Sequence, residues 1–193
     1  RRSDRTVERR IEEKIQFVVD NPPEDDEMPG QKDARASIGY ALACLYMNQR
    51  VDHANDLINA YCEHNPIAPV AQFTFYPHNL LHLYLLPRCH RLLTDTARRN
   101  IEKMAQNWIY ARSRIDPSAS SWNNASQGVW NISGSENHDA NWNACNLLAA
   151  QILRQAETPY GPEMKLADGR PVEEHYQAWV DYWKENFRQR ARE

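Results

Sequence analysis

No apolar run in the chain reaches the roughly 18 residues that a membrane-spanning helix requires, so a transmembrane segment is not expected. A sustained basic run is missing as well, and the formal charge is only -3. A nucleic-acid partner, which needs a clustered basic footprint, is therefore not expected either. Cys44, Cys62, Cys89 and Cys145 form no CxxC pair. Three of them fall within apolar helical patterns, which reads as reduced, buried thiols rather than a disulfide framework. Sequence repeats and low-complexity segments are lacking too. There is no signal-peptide pattern and no initiator Met: the chain starts at Arg1-Arg2-Ser3, as a processed product or an excised fragment would. What is present is 193 residues, 41% hydrophobic and 25% charged. That suits one soluble globular domain, residues 1–193, with a sizeable core.

Hydrophobic spacing along the chain is helical almost throughout. Val7, Ile11, Ile15, Val18 and Val19 outline a first helix from about Ser3 to Val19, stopped by Asn21-Pro22-Pro23. Glu24 to Glu27 reads as a solvated acidic loop. A helix capped by Asp33 runs to about Gln49, and Val51 to His64 forms the next, ended by Asn65-Pro66. Phe73 to Pro77 is the one plausible extended piece. His78 to Leu86 then reads as a buried helix. His78 and His82 share a face at zinc-pair spacing, but no acidic third ligand is near, so no metal is expected. Thr94 or Asp95 opens a helix to about Arg112, closed by Asp116-Pro117. After the loop 117–135, a helix from about Ser135 carries Ala140, Ala144, Leu147, Leu148 and Ile152. Leu166 to Pro171 is a turn, and Val172 to Arg190 carries an aromatic stripe of Tyr176, Trp179, Trp183 and Phe187. Paired helices with short connections predict an all-α helical-hairpin array.

The segment from 120 to 146 departs from this pattern. It holds seven asparagines, at 123, 124, 131, 137, 141, 143 and 146, and asparagine is a poor helix former. Amides offer both donors and acceptors to sugar hydroxyls and carboxylates. The indoles of Trp122, Trp130 and Trp142 can stack on the apolar face of a pyranose ring. Trp122, Asn123, Asn124, Trp130, Asn141 and Trp142 are thus candidate substrate-binding residues, joined by Tyr76 and His78 from the earlier segment. Glu136, Asn137, His138 and Asp139 would form the first turn of a helix, where free N–H groups and the dipole favour an anion. His138 can move a proton near neutral pH. Ser133-Gly134-Ser135-Glu136 also fits a capping box, in which Glu136 would serve the helix end alone.

Trp130 to Asn143, read as W-x-x-x-x-S-E-N-H-D-x-N, resembles the ENH segment of helical-toroid polysaccharide lyases and related bacterial proteins. The nearest family is polysaccharide lyase family 38, the alginate and glucuronan lyases. Tyr176-x-x-Trp179-x-x-x-Trp183, followed by Phe187-x-x-Arg190-Ala191, is similar to the helix that follows this segment in such proteins. The resemblance implies an (α/α) barrel, of which this chain is all or an incomplete part. It implies β-elimination on an acidic, uronic-acid-containing polysaccharide, with no cofactor. Glu136 and Asn137 would neutralise the sugar carboxylate, and His138 would be the base or its partner. A catalytic tyrosine is expected beyond the tail helix, past Glu193, with Tyr76 and Tyr110 as substitutes within the chain. Such an enzyme would be secreted or periplasmic. The alternatives are a glycoside hydrolase of similar shape, using Glu136 and Asp139, or a non-catalytic carbohydrate-binding helical protein.

Overall fold

A computed structural model describes residues 2–24, 35–64, 75–113 and 136–190. Within those ranges the side chains of residues 2–5, 35, 75–77, 111, 112, 136–139, 142, 186, 189 and 190 lie outside the description. The acidic loop beyond Glu24, the Asp33 cap, Asn65-Pro66, Phe73-Thr74 and the loop 117–135 also lie outside it.

The described chain is an all-α array. Its helices are α1 (Arg2–Asp20), α2 (Arg35–Met47), α3 (Val51–His64), α4 (Phe75–Leu85), α5 (Pro87–His90), α6 (Asp95–Arg112), α7 (Glu136–Gln155) and α8 (Val172–Arg190). The only β pairing among the described residues is an isolated Lys165–Pro171 bridge. No described helix is long and apolar enough to cross a membrane. Contacts group the chain into two compact units, Arg1–Pro66 with His82–Ile101, and Ile67–Leu81 with Glu102–Glu193.

In the first unit α2 packs along α1, α3 and α5. Ile38, Ala41, Leu45, Ala54 and Ile58 are fully enclosed there, so α2 and α3 bury the faces that their spacing predicts. Asn48 and Arg50 turn the chain between these helices with φ of 55° and 49°, and the Arg50 guanidinium donates to the buried Tyr40 hydroxyl at 2.6 Å. Asn55 is buried but fully used. Its amide nitrogen donates to the Val51 and Leu92 carbonyls at 2.9 and 3.0 Å, and its oxygen accepts the Thr94 N–H at 2.9 Å. Thr94 in turn caps α6, its hydroxyl accepting the Ala97 N–H at 3.2 Å.

Three local expectations are corrected. Phe75 to Pro77 opens α4 instead of extending, because proline in the first helical turn gives up an N–H that would be unpaired anyway. The short α5 follows directly, with Pro87 at its start. Among the described side chains of α1 only Val19 is buried, while Val7 and Ile11, on the apolar spacing of the helix, are 55% and 49% exposed. The four cysteines are free and buried, as expected.

In the second unit α7 and α8 pack together, with Trp179 and Tyr182 buried against Leu147 and Trp183. The aromatic stripe is therefore core at its middle. Phe187, near the end, is 65% exposed instead. Arg154 and Glu173 pair across α7 and α8, and the Arg154 guanidinium lies 4.6 Å over the Tyr176 ring.

Candidate functional site

Helix α7 begins at Glu136, so Glu136, Asn137, His138 and Asp139 occupy its first turn. Their side chains, and those of Tyr76 and Trp142, lie outside the described residues, as do Trp122, Asn123, Asn124 and Trp130. Further along α7 the asparagines divide by environment. Asn141 is half-buried, and the Cys145 thiol contacts its oxygen at 3.8 Å. Asn143 and Asn146 are buried and face partners on other helices. The Asn143 amide donates to the Tyr182 hydroxyl at 2.9 Å, and Asn146 accepts the Trp108 indole N–H at 3.0 Å. Part of the asparagine density therefore serves the packing of α7 on α6 and α8. His78 is half-buried on α4, and His82 is exposed. Among the described residues no three His, Cys, Asp or Glu side chains gather as a metal site would need.

The strongest side-chain constellation lies elsewhere in the second unit. Asp168 sits in the turn before α8. Gly169 takes φ +79° there, and the Arg170 N–H closes onto the Asp168 carboxylate at 3.0 Å. The same carboxylate meets His175 Nε2 at 3.0 Å, and His175 Nδ1 meets the Ser113 hydroxyl at 2.6 Å. The Trp179 indole donates to that hydroxyl at 2.8 Å. Ser113 and His175 are 2% and 0% exposed. An indole N–H only donates and an ionised carboxylate only accepts, which fixes the two outer bonds. The indole donates to the hydroxyl, and Nε2–H to the carboxylate. Burial favours the neutral ring, and in that form Nδ1 is bare and accepts the hydroxyl hydrogen.

Electrostatics agree with that assignment. Burial, helped by the charge of Arg170, pushes the His175 imidazole below its ordinary value, against the pull of Asp168 and Glu174. Burial alone would raise Asp168. The His175 hydrogen bond, the Arg170 backbone N–H and the nearby positive charges outweigh it and hold the carboxyl below its usual value.

Ser113, His175 and Asp168 have the composition of a hydrolytic triad, but Ser113 lacks what a nucleophile needs. It is enclosed, and its oxygen already accepts an indole N–H, so no substrate carbonyl can approach it. The arrangement is a polar tie between the end of α6, the turn and α8. Sequence spacing offered no signal for it, since 62 residues separate Ser113 from His175. The turn itself was legible, and an Asp followed by Gly was its one cue.

Comparison with known protein families, with curated proteins and with solved structures gave no match.

Proposed function

We infer that this chain is all or part of an (α/α)-toroid polysaccharide lyase that cleaves an acidic, uronic-acid-containing polysaccharide by β-elimination. The observation that carries the reading is the start of α7 at Glu136. It puts the E-N-H-D stretch, which resembles part of the lyase motif, at a helix end whose unpaired N–H groups and dipole favour a carboxylate.

In this reading Asn137, with Glu136 in its protonated form, hydrogen-bonds the sugar carboxyl and withdraws its negative charge. That acidifies the C5 proton. His138 takes the proton, the C5–H electron pair forms the C4=C5 double bond, and the C4–O4 bond breaks with its pair leaving on O4. An acid then protonates O4. Tyr110 already donates its hydroxyl to the Lys165 carbonyl at 3.1 Å, so Tyr76 is the better in-chain choice for that acid. Secretion or export to the periplasm would bring such an enzyme to its polymer.

Incubation with alginate and with glucuronan tests the reading. A lyase generates the ultraviolet absorbance of an unsaturated uronate, and His138→Ala loses it. New reducing ends without that absorbance would identify a glycoside hydrolase acting through Glu136 and Asp139. Saturable binding without new ends would identify a non-catalytic carbohydrate binder.

A further inference from the structure

Near the end of α8 the aromatic stripe leaves the core and meets solvent. Phe187 is 65% exposed, yet it is not an isolated surface ring. Its centroid lies 5.6 Å from that of Trp183, with the ring planes 32° apart. Trp183 meets Tyr182 edge-on at 5.7 Å, and Tyr182 meets Trp179 edge-on at 5.4 Å. Trp179 and Tyr182 are buried, so the core fixes the inner end of this row while Phe187 forms its open end. The Trp183 indole nitrogen is enclosed without a partner. What the outer pair offers a ligand is therefore ring surface rather than a hydrogen bond.

The register of the hairpin places that pair. Asn143 meets Tyr182 and Arg154 meets Glu173, so α8 runs back along α7. About one helical turn beyond the Asn143–Tyr182 contact, Phe187 comes level with residues 138–139, in the first turn of α7. Position 136 is in line with Ala140 and Leu147 by helical spacing, and Leu147 packs on the Trp179–Tyr182 pair. The aromatic row and the start of α7 thus lie side by side.

We propose that Phe187 and Trp183 form a sugar-stacking subsite, which holds one uronate ring of the polymer beside the unit whose carboxyl the start of α7 receives. The subsite rests on the lyase reading above. The apolar face of a pyranose packs on an aromatic ring, and a ring held in place by its neighbours loses little freedom on binding. Lys184 and Arg188, three residues before and one after Phe187, are exposed and paired with Asp181 and Glu185 of the same helix. Exposed pairs of this kind hold weakly, so either cation can turn to the carboxylate of a stacked uronate.

Steady-state kinetics on alginate and glucuronan, with retardation of the His138→Ala chain in gels cast with the same polymers, test the subsite. Phe187→Ala should raise KM and weaken retardation by up to about tenfold, with kcat nearly unchanged. Phe187→Tyr keeps a ring and should restore both. Phe17→Ala removes an equally exposed ring from the first unit and should change neither. A Phe187→Ala chain that cleaves and binds within about twofold of its parent overturns the subsite and leaves the lyase reading standing. So does a fall in kcat at unchanged KM, or an equal effect of Phe17→Ala. Binding that depends on Phe187 in a chain forming no unsaturated product supports the subsite and overturns the lyase reading. Neither cleavage nor binding overturns both.

Discussion

Replacing Ser113 with alanine removes a single oxygen, yet it touches two buried groups at once. The Trp179 N–H loses its acceptor at 2.8 Å and His175 Nδ1 loses the hydroxyl at 2.6 Å. Each buried polar group deprived of its partner costs about 1–3 kcal/mol. The expected loss is therefore roughly 2–6 kcal/mol, a large share of the roughly 5–15 kcal/mol that holds a typical domain. Urea unfolding followed by circular dichroism would read it as a lower midpoint with an unchanged slope. The double variant sharpens the test. In Ser113→Ala the indole has already lost its acceptor, so adding Trp179→Phe then costs less than in the parent chain. The non-additivity expected for residues sharing one network is about 1–2 kcal/mol. A Ser113→Ala loss within about 0.5 kcal/mol, the usual range for a surface change, would refute the reasoning. Strictly additive single variants would refute it too.

Other consequences are as direct. His175 and Asp168 both have depressed pKa values in the folded chain. Their stabilisation is whole above the unfolded values of 6.5 and 3.8 and is lost as pH falls through the folded ones. Unfolding free energy should thus decline below about pH 6.5 and again in the carboxylate range, and a stability curve rising with acid would contradict this. Trp183 buries its indole nitrogen with no hydrogen-bond partner. Calorimetry should find Trp183→Phe less damaging than Trp108→Phe, which strands the buried Asn146 acceptor instead. Gly169 has open space around its Cα but φ +79°, so Gly169→Ala should cost about 1–2 kcal/mol from backbone strain alone. All four thiols are buried and free, and burial with the nearby Glu63 charge pushes Cys62 up to about 12. A thiol reagent should label the native chain slowly and the denatured chain at four sites.

Helix positions were largely legible because apolar spacing records which face of a helix is covered. The ends of α3 and α8 fall at Val51–His64 and Val172–Arg190, where Pro66 and Pro171 punctuate the pattern. Spacing failed where it had to judge exposure. Val7 and Ile11 have core-like periodicity on a helix whose outer face stays uncovered, and Phe187 continues a buried stripe past the end of its packing. The asparagines of α7 divide for a related reason. Composition marks all of them as polar, but only tertiary approach separates Asn143 and Asn146, spent on Tyr182 and Trp108, from the half-buried Asn141. The Asp168–His175–Ser113 chain was invisible because its members meet only after the fold has formed.

That late meeting bears on how the chain folds. α7 and α8 are consecutive helices joined through residues 156–171, so their contacts close over a shorter loop and at smaller entropic cost. The bond from Ser113 to His175 instead bridges 62 residues, and it needs both helices in place before it gains anything. Its energy belongs to the finished state and not to the transition state. Weakening it should leave the refolding rate nearly unchanged and quicken unfolding. The tie is then a brake on coming apart, and it sets how long the second unit stays folded more than how fast it forms.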